Sequence, residues 1–320
     1  MNSSSPRQRR KAAPAALPAW SEQLEEWRKL LGECRLKPTR KRVHFLRVAT
    51  LRLQAQVAQW LDQHALNDPA AGIARRWNKQ AKVLRRALGR VRGFDVHLGS
   101  LRQLRGILTT DSGYEPRSCR AALRQIDELE RRFKRKRKDA AKLLVAALAA
   151  RHDRLQRAMS DLASAPPFQQ SPLPALDVRR LSEMLVAAIA AFPGFNPDSL
   201  HDLRKRLKSV RYLAELNAGS REAIDLTAAV KAMQSAIGAW HDWEELAAEA
   251  ARAVRRKSEV RTLNDLLETL AKESLEKALA LCESARDRFV PATPPSTALP
   301  AKLSVQRAES PSVRTQSISA

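Results

Sequence analysis

The 320-residue chain carries 58 Lys and Arg against 34 Asp and Glu, a formal net charge of +24, which favours partners such as nucleic acid, an anionic lipid surface or another polyanion. Its three cysteines, Cys34, Cys119 and Cys282, are far apart and lack C-x-x-C spacing. Neither a disulfide framework nor a zinc site is indicated, and a reducing cytoplasm is expected. With 10 glycines and an abundance of Ala, Leu, Arg, Lys, Glu and Gln, local preference is helical almost throughout, so the fold is read as all-α.

The first 19 residues mix Ser, Pro, Arg and Ala and are expected to be a disordered basic tail. Helical patterns then run from Ser21 to Leu36, Pro38 to His64, Pro69 to Leu108 and Pro116 to Ala163. Four more follow, from Asp177 to Ala191, Pro197 to Asn217, Arg221 to Lys257 and Val260 to Phe289. Ser21 with Glu22, Asp68 before Pro69, and NPDS ahead of His201 read as helix starts, and Pro116 suits a first turn. The prolines of ASAPPFQQSPLPALD forbid continuous helix and divide the ordered chain. The expected organisation is a first helical half 20–163, a linker 164–176, a second half 177–290, and a disordered tail 291–320. The apolar runs LLVAALAA from Leu143 and MLVAAIAAF from Met184 are too short to span a bilayer. The start lacks a sustained apolar segment, so neither export nor membrane insertion is expected.

The halves share landmarks. VHFLRVATLRLQ from Val43 precedes LGRVRGFDV from Leu88, and LHDLRKRLKSVRY from Leu200 precedes IGAWHDWEE from Ile237, at a slightly shorter interval. His44 then pairs with His201, Arg47 with Arg204, Gly89 with Gly238, and Asp95 with Glu244. An internal duplication follows from this order.

A helix advances about 100° per residue, so His201, Arg204, Lys205, Lys208, Arg211 and Tyr212 share one face. Leu200, Leu203, Leu207, Val210 and Leu213 form the other. The polar face reads as nearly free of acids, whereas a solvated helix mixes Glu with Lys at four-residue spacing. The first-half copy is sparser: Arg40, His44, Arg47 and Gln54 share a face flanked by Lys41 and Arg52. A third stripe comprises Arg120, Arg124, Arg131, Arg135, Lys138 and Lys142. Two readings fit each stripe, a solvated face or a polyanion surface; repetition favours the second. Arg offers a fork matching phosphate oxygens, Lys a mobile charge, and a nearby phosphate favours charged His.

The patterns VHFLRV and HDLRKRLKSVRY, with the LGRVRGFD and IGAWHDWEE landmarks, resemble the CHAD family, the conserved histidine α-helical domain, over roughly Ser21 to Phe289. The resemblance implies two pseudo-symmetric helical bundles, a central basic groove or pore, and binding of inorganic polyphosphate, often with recruitment to polyphosphate granules. By position it implies that His44, Arg47, Arg52, His201, Arg204, Lys205, Lys208 and Arg211 contact the polymer. Leu51 and Gln54 stand where the family often has further arginines, and Arg92 followed by Gly93 where it has an Arg-Asp pair. A weaker first-half contribution follows. With Arg40, Arg92, Arg131, Arg135, Lys138 and Tyr212 these residues make up the expected polyphosphate-binding set.

Neither a phosphate loop nor a nucleophile with its base stands out, and HDWEE at His241 lacks metal-ligand spacing. The protein is therefore expected to bind without catalysing, with no cofactor and no metal. Asp95, Asp242 and Glu244 read as partners of arginines or helix ends. Nucleic acid is a rival ligand, and a phosphate-processing enzyme a rival activity. Aromatic residues are only 5% of the chain, with no row of rings for base stacking, and Trp77, Trp240 and Trp243 read as packing residues.

Overall fold

A computed structural model of the chain describes residues 19–64, 68–110, 116–169, 177–215, 221–253 and 261–290. The expected tails, and the linker beyond residue 169, lie outside the described residues. All regular structure within them is helical: α1 Trp20–Leu36, α2 Arg40–Gln63, α3 Pro69–Thr110, α4 Pro116–Ser164, α5 Pro166–Gln169, α6 Val178–Ala190, α7 Pro197–Glu215, α8 Arg221–Ala253 and α9 Arg261–Phe289.

The starts follow side-chain chemistry. The Thr39 hydroxyl accepts the Arg42 amide at 3.3 Å, and Asp177 accepts that of Arg179 at 3.2 Å. Ahead of α7, Ser199 N–H donates to Asn196 Oδ1 at 2.9 Å while Asn196 N–H donates to Ser199 Oγ at 2.7 Å, a reciprocal cap. Asp68 accepts the Ala70 amide at 2.7 Å, leaving Pro69 in the position where a missing N–H costs nothing. Ser21, expected to start α1, lies inside it; the Glu22 carboxylate instead accepts the Ala19 N–H at 3.2 Å. The prolines after Ser164 end α4 as expected, but Pro166–Gln169 make one more helical turn. That turn drives Phe168 against Trp60 and Trp20, with ring centroids 4.9 and 5.4 Å apart, a burial the proline signal concealed.

Within the first half α1 packs on α2, α2 on α3, α3 on α4 and α4 on α1. The second half has the same neighbour scheme: α6 on α7, α7 on α8, α8 on α9 and α9 on α6. Each half has its own core, one centred on Trp27, Leu46, Trp77 and Leu88, the other on Leu185, Leu203, Leu207 and Ile237. A third core draws on both halves, joining Leu101, Leu104, Ile126 and Phe133 to Trp243, Leu246 and Leu267. Trp77, Trp240 and Trp243 are all buried packing residues. Cys34 and Cys282 are buried free thiols, pushed up to about 11 and about 12 respectively by burial, and so are inert; Cys119 is also free.

The halves meet along matched helices: α2 touches α7, α3 touches α8, and α4 touches α9. Because α2 also packs on α3 and α7 on α8, these four close a circuit of neighbours. The cationic faces of α2 and α7 meet inside that circuit. Among the described residues no helix is long and apolar enough to cross a membrane.

Candidate polyanion-binding cavity

A cavity of about 360 Å³ opens where the four helices meet. From α2 it is lined by His44, Arg47, Val48 and Leu51, positions 0, 3, 4 and 7 of one face. From α7 come Arg204, Lys208, Arg211 and Tyr212. α3 contributes Gly89, Arg92, Gly93 and Val96, and α8 contributes Gln234, Ser235, His241, Asp242 and Glu245. A neighbouring cavity of about 400 Å³ shares Leu51, Lys208 and Tyr212 and adds Arg85, Lys205 and Gln54. Leu51 occupies the place on α2 that Lys208 holds on α7, so the lining is richer in cations on the second half, as the departures in the sequence imply.

Several groups are locked. Arg47 donates through Nη1 to the Arg85 carbonyl at 3.0 Å, and Arg211 donates to Gln234 Oε1 at 3.2 Å. Glu215 gathers Arg211 at 2.9 Å, Arg52 at 3.1 Å and Lys231 at 3.5 Å, tying α2, α7 and α8 together. The expectation of a face nearly free of acids is therefore corrected: Glu215 lies four residues after Arg211, and Asp202 pairs with Lys205 at 2.9 Å. Tyr212 lines both cavities with little of its surface free. It is only 8% exposed and belongs to the second core, with the Arg211 guanidinium 5.6 Å from its ring centroid.

The free cavity is electrostatically uncomfortable. Burial, then neighbouring cations, depress the Lys208 ammonium to about 8, the cations being Arg204, Arg47, Arg85 and Lys205. Burial first, then Arg92, Arg40, Arg211 and Arg47, hold His44 below the ordinary imidazole range. Arg47 and Arg92 are lowered for the same two kinds of reason, Asp242 and Asp95 partly offsetting the effect on Arg92. Asp242 itself is raised by burial, although Arg204 and Arg92 pull it down. An anion entering this space would relieve repulsion among the clustered cations, of which Arg47 and Arg211 are already held in place.

Of the remaining expected residues, His201 is exposed, its ring 5.4 Å from that of His241, which lies in the lining. Arg40 and Arg52 are exposed on α2, outside the lining. Arg131, Arg135 and Lys138 are exposed on α4, on the side opposite buried Phe133 and Leu144, and line neither basic cavity. Arg85, Gln234 and Glu245 were not anticipated. Arg85 and Gln234 each precede a landmark glycine by four residues, a matching offset that marks both.

The landmark glycines themselves lie beneath arginines. A Cβ at Gly89 would sit 3.6 Å from Arg47 Nη1, and one at Gly238 3.5 Å from Arg204 Nη2. Both are ordinary contact distances, so a methyl group fits and anything longer displaces the guanidinium. Gly238→Ala should therefore raise stability, by up to ~1 kcal/mol of helix propensity, in a thermal melt. Gly238→Leu should push Arg204 out of place and weaken anion binding while the chain stays helical.

An all-α bundle with a cation-lined cavity between two four-helix sets is the class these features define. The CHAD domain family model matches residues 11–251, and the chain belongs to that family. The match ends within α8, before α9. Among solved structures, the CHAD domain from the plant Ricinus communis is 20% identical, covering 87% of this chain and 98% of its own with a TM-score of 0.55. PptA from Streptomyces chartreusis is 19% identical, covering 83% and 96% with a TM-score of 0.53. Both likenesses are of fold. No curated protein matches the chain.

Proposed function

We propose that the protein binds inorganic polyphosphate, without catalysis, by holding a stretch of the polymer in the cavity between its halves, and that this attaches it to polyphosphate granules. CHAD proteins are associated with polyphosphate. The observation carrying the reading is the meeting of His44, Arg47, Arg92, Arg204, Lys208 and Arg211, from three helices, in one cavity. Phosphate oxygens would take hydrogen bonds from the arginine forks and charge from Lys208. With no base to read, selectivity over nucleic acid rests on charge density. The test is competition between long polyphosphate and single- and double-stranded DNA at matched phosphate concentration and physiological salt. Polyphosphate should win, and its affinity should fall as salt rises, by counterion release. Equal displacement by DNA would overturn the reading.

One observation favours the alternative of a phosphate-processing enzyme: Asp242 and Glu245 lie in the same lining as the cations. Among the described residues no group of three or more His, Cys, Asp or Glu side chains could hold a metal. Phosphate release from polyphosphate with added magnesium or manganese distinguishes the two, and none is expected.

The depressed lysine and histidine set the pH dependence. Bound phosphate favours the charged form of each, so binding takes up protons wherever the free group is neutral. Below about 8 Lys208 is already charged and contributes fully; above it, affinity falls as pH rises. His44 extends the same trend to lower pH, affinity rising as acid protonates the ring. Calorimetry in two buffers of different ionisation heat should report proton uptake. Lys208→Met should flatten the alkaline limb and His44→Gln the acidic one.

A further inference from the structure

A third hollow, of about 280 Å³, lies between residues 80–90 of α3 and 140–155 of α4 and shares no residue with either basic cavity. Its walls are apolar, Val83, Leu84 and Ala87 facing Leu143, Ala147 and Leu148. Arg86, Arg90 and Arg151 edge it, and no acid lines it. All three arginines are exposed and none makes a salt bridge with a described residue. Leu143 is 62% exposed, an unusual place for a large apolar side chain beside an open apolar hollow.

Charge decides what can sit there. The chain's own N-terminal segment carries Arg7, Arg9, Arg10 and Lys11 with no acid before residue 19. Beyond residue 290 stand Lys302, Arg307 and Arg314 against the single acid Glu309. Both segments repeat the sign of the rim, and a second copy brings another net +24. The volume falls at or below the lower end of the range for small-molecule pockets, roughly 300–1,000 Å³, and suits one or two inserted side chains.

We propose that this groove between α3 and α4 docks an acidic amphipathic helix of another protein. Its apolar anchors, spaced three and four residues apart, would enter between Leu84, Ala87, Leu143 and Ala147, while glutamates or aspartates on its flanks pair with Arg86, Arg90 and Arg151. The surface is independent of the polyanion cavity, so the protein can hold such a partner and a polyanion together.

The test uses the full chain and a fluorescent synthetic helix with leucines at that spacing and glutamates on both flanks, read by anisotropy at physiological salt. Controls are the same residues with the leucine spacing broken, the lysine-for-glutamate version, and a medium-chain fatty acid as competitor. The acidic amphipathic peptide should bind at least about tenfold more tightly than either control peptide, and Leu143→Asp or Arg90→Glu should weaken it by about tenfold. Both positions are exposed, so unchanged melting temperatures keep the comparison clean. Arg204→Glu with Lys208→Glu, which alters only the polyanion cavity, should leave peptide affinity unchanged. Equal binding of the broken-spacing peptide, no effect of Leu143→Asp, loss with the cavity variant, or preference for the fatty acid would each overturn the proposal.

Discussion

Arg204→Glu combined with Lys208→Glu should lower polyphosphate affinity by about a hundredfold or more in an anisotropy titration, with far-ultraviolet helicity retained. Hydrogen bonds to charged groups contribute about 1.5–3 kcal/mol each, so losing two amounts to at least ~3 kcal/mol, and reversing the charges adds repulsion. These two suit the test because neither makes a side-chain hydrogen bond or salt bridge with a described residue, and both line the cavity. Arg211 is a poorer choice. It holds Glu215 and Gln234, so its loss would disturb the α7–α8 packing and confound binding with stability. The matching control is Arg131→Glu with Arg135→Glu on the outer face of α4, where the expected loss is below about threefold, carried by long-range and screened charge alone. An outer pair that matters as much as the inner one, or unaltered affinity in the inner variant, would remove the cavity from the account.

The repeated histidine and arginine landmarks located three of the four cavity walls, because α2 and α7 are amphipathic along their length and Arg92 follows the landmark glycine Gly89 by three residues. Periodicity reports which side of a helix is buried, not what covers its polar side. Tyr212 shows the limit: it falls at the edge of the cationic arc, and only the approach of α2 to α7 makes it both a lining residue and part of the core. Glu215 shows another. Its i,i+4 relation to Arg211 was visible, but Arg52 reaches it from 163 residues away, and no local pattern encodes that pairing. Arg85 and Glu245 sit on α3 and α8, which pack on neighbours of both halves, so neither helix presents a clean polar stripe. The α4 stripe was legible as charge, but it lines neither basic cavity; an outward face and a cavity wall look alike in a sequence.

Asp95→Ala is expected to destabilise the fold by about 3 kcal/mol, the low end of the loss on breaking a buried pair. The Asp95 carboxylate is 3% exposed and takes two bonds from Arg137, Nε to Oδ1 at 2.7 Å and Nη2 to Oδ2 at 3.4 Å. Arg137 also donates through Nη2 to the Pro38 carbonyl at 3.1 Å, so one fork joins α3, α4 and the α1–α2 connection. Removing the acid leaves a half-buried guanidinium unopposed, and it takes from Arg92 a negative charge that sustains it at the cavity wall. The repeat offers no substitute: Glu244, the matching position on α8, is 56% exposed and turns to His241 at 3.7 Å. A thermal melt should fall by about 6 °C or more, the usual conversion for a domain of this size. Adding Arg137→Met to Asp95→Ala should recover at least half of that drop, because a pair removed whole leaves no orphaned charge. If the single and double variants melted together, the loss would come from packing around Asp95 rather than from the charge left behind on Arg137.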